Sequence, residues 1–212
     1  MRAAGGGGPR GWMVGNFVDP AAFPWRDRTR RRRFPGQMVI GRLSRADPAK
    51  FFHDFPRWYE GLGVGNARYR VMAWSDALAG RWAGHVFDGR WDLLPALGES
   101  PRRFLESLDV FVYGLGRECR ESWGRAVVEG MLSGVVPVVE GDGRHHLCRL
   151  FPQGVAGFHF HSRGECRGIV KELARDGGMR ARFSKAAGEY AREVLCDAEE
   201  HRERWRGVFE RG

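Results

Sequence analysis

Lysine is scarce in this chain of 212 residues: Lys50, Lys171 and Lys185 are the only three among 35 basic side chains, so arginine carries nearly all the positive charge. That skew, alongside 31 glycines, fits a GC-rich coding sequence as readily as selection for phosphate binding. Cysteine is equally thin. Cys119, Cys148, Cys166 and Cys196 stand far apart with no C-x2-C pair, which argues against a zinc site and against a disulfide framework and leaves reduced thiols as the simplest reading. No apolar run approaches the roughly 18–20 residues that cross a bilayer, and the glycine-rich residues 1–10 lack the apolar core of a secretory signal. The expected location is cytoplasmic, with room for apposition to the inner face of a membrane. The net charge of +9 has no basic helix or aromatic stacking platform beside it in this reading, and the dense run 30–33, between Pro24 and Pro35, reads as a solvated loop. Nucleic acid is therefore not an expected partner. A basic face making peripheral contact with anionic lipid is compatible with the charge.

What is present is globular in composition, 42% hydrophobic and 29% charged, and its length suits one domain with tails. Residues 1–36 show no sustained periodicity and read as tail and linker. From Gln37 short apolar runs at 38–40, 71–74, 109–113 and 135–139 alternate with helical patterns, and 157–161 is a weaker, edge-like run. Runs that are apolar on both faces suit strands covered by helices on both sides. Residues 122–133 read as a helix with Gly134 as its C-terminal cap. Cys166, Ile169, Val170 and Leu173 recur at helical spacing, as do Phe183, Ala187, Tyr190 and Val194, and then Trp205, Val208 and Phe209. The stretch after Pro48 opens like a helix but is interrupted by Pro56, so it restarts near Asp54. The expected fold is α/β: a Rossmann-like parallel sheet with helices on both faces over residues 37–196, then a C-terminal helix over 197–212. Ligands of such sheets bind beyond the carboxyl ends of the strands, which directs attention to the loops after Ile40, Trp74, Tyr113 and Val139.

Two of these loops carry suitable chemistry. The first, opening with Gly41, presents Arg42, Arg45 and Lys50, an arginine fork and a mobile ammonium for phosphate oxygens. The second runs through Gly114 and Gly116 to Glu121, Ser122, Trp123, Gly124 and Arg125, and on to Glu129. Here the glycines permit a tight turn, Ser122 is placed to cap the following helix, and that helix's first N–H groups would face an anion. If Glu121 and Glu129 shared one helix, their eight-residue spacing would separate them by about 12 Å at roughly 1.5 Å per residue. That suits one carboxylate on a sugar and the other on a ribose, with a diphosphate between them. Each loop taken alone is also consistent with a plain solvated surface.

The stretch from Glu121 through Ser122, Trp123, Gly124, Glu129 and Gly134 to Pro137, Val138 and Val139 resembles the E-x7-E signature of glycosyltransferase family 4, the retaining GT-B enzymes also called glycosyl transferases group 1. Gly41, Arg42, Leu43, Ser44 and Arg45 look like that family's phosphate loop, and residues 109–113 like its strand before the motif. Asn16, Phe17, Val18 and Asp19 are similar to the end of its interdomain linker. The order is right and the resemblance covers roughly residues 14–211. It implies the C-terminal, nucleotide-sugar-binding half of a GT-B fold. The family's N-terminal acceptor half, or a partner chain supplying it, would have to complete the enzyme, and the last helix would pack toward it. The resemblance gives Glu121 the donor sugar as catalytic residue, Glu129 the ribose, Arg42 and Lys50 the diphosphate, and Ser122 with the backbone of Trp123, Gly124 and Arg125 the sugar or phosphate. It implies a hexosyltransferase-like, metal-independent transfer with retention and no cofactor, and no D-x-D motif stands against that. The isolated chain is expected to be inactive.

The sequence departs from the family pattern in three places. Lys50 follows Arg42 by eight positions rather than about five, so either it reaches round a longer loop or Arg45 substitutes. Gly130 replaces the usual alanine, at a cost of up to about 1 kcal/mol in a helix. The loop 141–146 replaces a glycine pair followed by glutamate. His145 and His146 point apart, whereas His159 and His161 share a strand face without a carboxylate or cysteine partner at recognisable spacing. Most of the eight tryptophans should be packing residues, with Trp91 a candidate border for a base pocket. Two other readings compete: a non-catalytic nucleotide-binding or protein-interaction module derived from such a half, and another doubly wound nucleotide binder such as an epimerase. Against the second, no G-x-G-x-x-G follows the first strand.

Overall fold

The apolar runs pair as a sheet. In the computed structural model, which describes residues 16–27, 33–141 and 146–210, β1 (Met38–Leu43), β2 (Ala67–Met72), β3 (Trp91–Leu94), β4 (Val110–Tyr113), β5 (Val136–Glu140) and β6 (Phe158–Phe160) form one sheet in the order β3-β2-β1-β4-β5-β6. Every pairing is parallel. This is the doubly wound order, and its direction reverses between β1 and β4. Alternate residues feed two cores. Ile40, Val71, Val110 and Val112 pack with α1 (Phe55–Glu60), α2 (Asp76–Arg81) and α5 (Arg163–Arg175). Val39, Met72, Phe111 and Tyr113 pack with α3 (Pro101–Leu105), α4 (Arg125–Leu132) and α6 (Gly177–Tyr190). A π-helical turn, Ala191–Leu195, joins α6 toward α7 (Ala198–Phe209), which Asp197 caps.

The sheet departs from the sequence reading on one side. β2 begins at Ala67 instead of 71, and β3 was not anticipated at all. Both strands carry charge inside the fold. Arg70 is 1% exposed and bonds Asp92 at 3.1 Å, Glu99 at 2.6 Å and the Ser107 hydroxyl, while Arg68 takes Asp92 at 2.5 Å. Trp91 is correspondingly a core residue of β3, packed on Tyr69 and donating its indole N–H to Glu60, and not the border of a base pocket.

The part of the linker within the described residues is packed down: Val18 is buried, and Trp25 lies over Gly134 and Gly188 with its indole N–H on the Ser184 carbonyl. The stretch after Pro48 is a short 3-10 turn, Pro48–Lys50, and α1 opens after Asp54, with Pro56 in its first turn, where a missing N–H costs nothing. Residues 1–15, Arg30, Arg31, Arg32, Asp142, Gly143, Arg144 and His145 lie outside the described residues.

Candidate functional site

The carboxyl ends of β1 and β4 meet where the sheet reverses, and Arg42 ties them together. Its guanidinium is fully buried, donating one terminal nitrogen to the Gly114 carbonyl at 2.9 Å and the other to the Lys50 carbonyl at 2.7 Å. Phe51 and Tyr113 sandwich it, with ring centroids at 4.2 and 4.7 Å. The loop after β1 turns because the Asp47 carboxylate caps Pro48–Lys50, accepting from the Ala49 N–H at 2.9 Å. The loop after β4 presses against it: the Gly116 N–H donates to the Ala49 carbonyl at 3.1 Å, and a Cβ on Gly116 would sit 2.5 Å from that same oxygen. Glycine is what lets these two backbones touch.

This closure brings Lys50 to Glu121. Lys50 Nζ lies 2.6 Å from Glu121 Oε2, and the Tyr113 hydroxyl donates to the same oxygen at 3.1 Å. Lys50 is 6% exposed as a residue, and the Glu121 side chain 17%, so the pair is far drier than a surface ion pair. Burial pushes the Glu121 carboxyl up, but the Lys50 ammonium, the Tyr113 hydroxyl and the Gly124 N–H together outweigh it and hold the group below the ordinary carboxylate range. Burial raises the Tyr113 phenol, which therefore stays protonated and a donor. Glu140, at the end of β5, accepts from the Leu115 N–H at 3.0 Å and fixes the β4 loop from its other side.

Glu121 does not stand on a helix. α4 begins at Arg125, and its N-cap is Gly124 at φ 71° with no side-chain cap; Ser122 is exposed and does not cap it. The 12 Å helical spacing expected between the two glutamates thus does not apply, because residues 121–124 are a turn. Glycine at 124 is required twice over, by its left-handed backbone and by Leu147, whose Cδ2 would lie 2.5 Å from a Cβ there. Trp123 is buried in the core on the α4 side of the sheet. Glu129, 8% exposed within α4, pairs with Arg125 at 2.8 Å. Arg45 is exposed on the β1 loop. Arg42, Lys50 and Glu121 are therefore assembled into one contact group, whereas Arg45, Ser122 and Arg125 are exposed and not part of it, Arg125 being paired with Glu129.

Sequence reasoning missed Tyr113 and Glu140. Both are last residues of strands at the carboxyl edge of the sheet, the one positional signal that marked them. Ser122 and Trp123 also border a cavity of about 250 Å³ with Leu150, Tyr190, His201 and Arg204; neither Lys50 nor Glu121 lines it. His159 is nearly buried against Phe151, and burial, with His161 nearby, lowers its pKa. Among the described residues no three His, Cys, Asp or Glu side chains converge as a metal site, and no helix is long and apolar enough to cross a membrane.

This six-stranded parallel sheet, with helices on both faces, matches in fold the Rossmann-like half of GT-B glycosyltransferases of known structure. No protein-family model matches the chain, and no curated protein matches its sequence; the similarity is one of structure. A Staphylococcus aureus TarM variant, in complex with fondaparinux, α-GlcNAc-glycerol and UDP, aligns at TM-score 0.73 and 17% identity over 93% of this chain and 39% of TarM. Anabaena HepE in complex with UDP-glucose aligns at 0.67 and 17% identity over 82% of this chain and 49% of HepE. The C-terminal domain of a glycosyl transferase group 1 family protein, LpcC from Francisella tularensis, aligns at 0.64 and 14% identity over 84% of this chain and 98% of that domain. The chain thus spans less than half of TarM and HepE.

Proposed function

We propose that the chain is the donor half of a retaining glycosyltransferase of the family 4 type, binding a nucleotide-diphospho-sugar at the β1–β4 reversal. The observation that carries the reading is the Lys50–Glu121 pair, a cation and a carboxylate held together at the ligand edge of the sheet. Complexes of the structural neighbours with UDP and UDP-glucose support it. Glu121 takes the donor sugar hydroxyls, Glu129 the ribose, and the N–H groups of Trp123, Gly124 and Arg125 the sugar or phosphate, with Ser122 beside them. Lys50 and Arg45 meet the diphosphate. Arg42, buried with both terminal nitrogens on carbonyls, acts by holding Lys50 and the Gly114 turn in place.

In the transfer, the bond from the sugar's anomeric carbon to the diphosphate oxygen breaks. The acceptor hydroxyl oxygen bonds that carbon from the same face, and its proton passes to the leaving diphosphate. The protein's contribution is to stabilise the charge that builds on the leaving group, here through Lys50 and Arg45 without a metal. An acceptor domain or partner chain completes the site.

Calorimetric titration with UDP, GDP and ADP tests the reading. One nucleotide should bind, and Glu129→Ala should weaken it by about 1–3 kcal/mol, tenfold or more. Absence of binding by any of the three nucleotides would favour the non-catalytic module.

A further inference from the structure

A cationic ridge runs along α5. Arg163, Arg167, Lys171 and Arg175 recur at every fourth position of that helix, so they share one flank for about 18 Å at roughly 1.5 Å per residue. This is the basic helix that the composition had not revealed, because α5 announces itself in the sequence through its apolar face. The ridge is seated on bare backbone. The turn after α1, residues 61–66, has glycine at 61, 63 and 65. A Cβ on Gly61 would strike the Arg163 guanidinium, and one on Gly63 would lie 3.0 Å from Lys171 Cε and 3.2 Å from Arg167 Nε. The glycines are what allow the basic stems to lie down on the turn.

Arg163 is spent internally, on Asp54 at 3.2 Å and on the Arg57 carbonyl. Arg167, Lys171 and Arg175 have no ion-pair partner among the described residues. Arg167 and Arg175 are exposed, Lys171 partly so, and Lys171 and Arg175 border a hollow of about 260 Å³ with Gly63, Gly65 and Asn66. Of the two acids on the helix, Glu165 turns back to the His161 N–H at 2.7 Å. Glu172 stands about 100° round the axis from Lys171. No large exposed apolar side chain lies on α5 or on the glycine turn, so the ridge has nothing to stack on bases and nothing to insert into an acyl layer. It offers charge alone.

We propose that this ridge docks the chain on an anionic phospholipid surface, with Arg167, Lys171 and Arg175 meeting lipid phosphates over the open glycine turn. The proposal is independent of the donor-site reading, since none of its residues touches that site. Polybasic contact of this kind gains roughly fivefold in partitioning per cation near the surface and is screened by salt. The test is co-sedimentation of the full chain with phosphatidylcholine vesicles, with and without phosphatidylglycerol. Binding should require the anionic lipid and fall steeply with salt. The triple variant Arg167→Gln, Lys171→Gln, Arg175→Gln should lose about a hundredfold, and the corresponding all-lysine variant should retain binding. A control triple, Arg182→Gln, Lys185→Gln, Arg206→Gln, makes the same change in net charge on α6 and α7 and should lose less than about fivefold. Equal losses in the two glutamine triples would overturn the proposal, because diffuse charge would then suffice. Indifference to phosphatidylglycerol would also overturn it, as would an RNA oligonucleotide that binds more tightly than the vesicles and is lost in the ridge variant.

Discussion

Glu121 is held by a cation, a phenol and a backbone N–H, and each makes a separable contribution. Its folded-state pKa is depressed, so its ionised form stabilises the fold above the unfolded carboxyl value of about 4.3 and that stabilisation drains away as pH falls through the lower folded value. Lys50→Met removes the largest opposing influence on burial. The pKa of Glu121 should then rise, and the acid limb of a melting-temperature profile should become shallower than in the parent chain, the parent's advantage being largest above the unfolded carboxyl value and fading at low pH. An unchanged acid limb would mean that the pair is not formed in solution. Tyr113→Phe deletes one hydrogen bond to the same oxygen and leaves the ring stacked on Arg42. On the donor-site reading it should weaken a nucleotide-sugar about 2–10-fold, or 0.5–1.5 kcal/mol, and leave the bare nucleotide diphosphate unaffected. Calorimetry with both ligands separates this positioning role from general damage, which would weaken the two equally.

At the scale of elements, two glycines in and beside α4 have opposite roles. Gly124 is a left-handed N-cap packed under Leu147, so Gly124→Ala should cost about 2–4 kcal/mol, from the backbone conformation and overpacking together. Gly130 lies inside the helix, and a Cβ there would meet Phe111 at 3.5 Å and Leu105 at 3.7 Å, ordinary contacts. Gly130→Ala should stabilise the fold by up to about 1 kcal/mol. Urea unfolding of the two variants should move midpoints in opposite directions.

The elements also show what a sequence can display. β1, β4 and β5 are covered on both faces, so burial itself writes an apolar run. β2 is just as internal, and β3 is the edge strand beside it, with Trp91 alone buried. Arg68, Arg70 and Asp92 interrupt their runs, and those charges become tolerable only when the strands pair in register and Glu99 and Ser107 arrive from beside α3. That neutralisation is a tertiary fact with no local signature. Glu121, likewise, was legible as a motif residue, but its place on a turn depended on the backbone of Gly124. The partnership of Lys50 with Glu121 bridges residues 71 apart and needed both loops folded.

At the scale of the whole molecule, the sheet edge that holds Lys50 and Glu121 contrasts with an exposed aromatic face on α7. No residue of α7 is fully buried; Phe209 is 77% exposed, and Phe17, His201, Trp205 and Phe209 form a line of ring contacts along it. Such a stripe stabilises little in this chain, so Trp205→Ser with Phe209→Ser should change unfolding free energy by no more than about 0.5 kcal/mol and leave nucleotide binding intact. Transfer is a different matter. Catalysis requires the acceptor hydroxyl to be held within reach of the anomeric carbon, an orientation worth many orders of magnitude in effective concentration. On the donor-site reading, the groups gathered around Lys50 and Glu121 serve the donor alone. The expected outcome is that the purified chain binds nucleotide-sugar but turns it over only at a background rate, and that adding an acceptor-binding half in trans restores transfer. Efficient transfer by this chain unaided would show that the groups around Lys50 and Glu121 also position the acceptor.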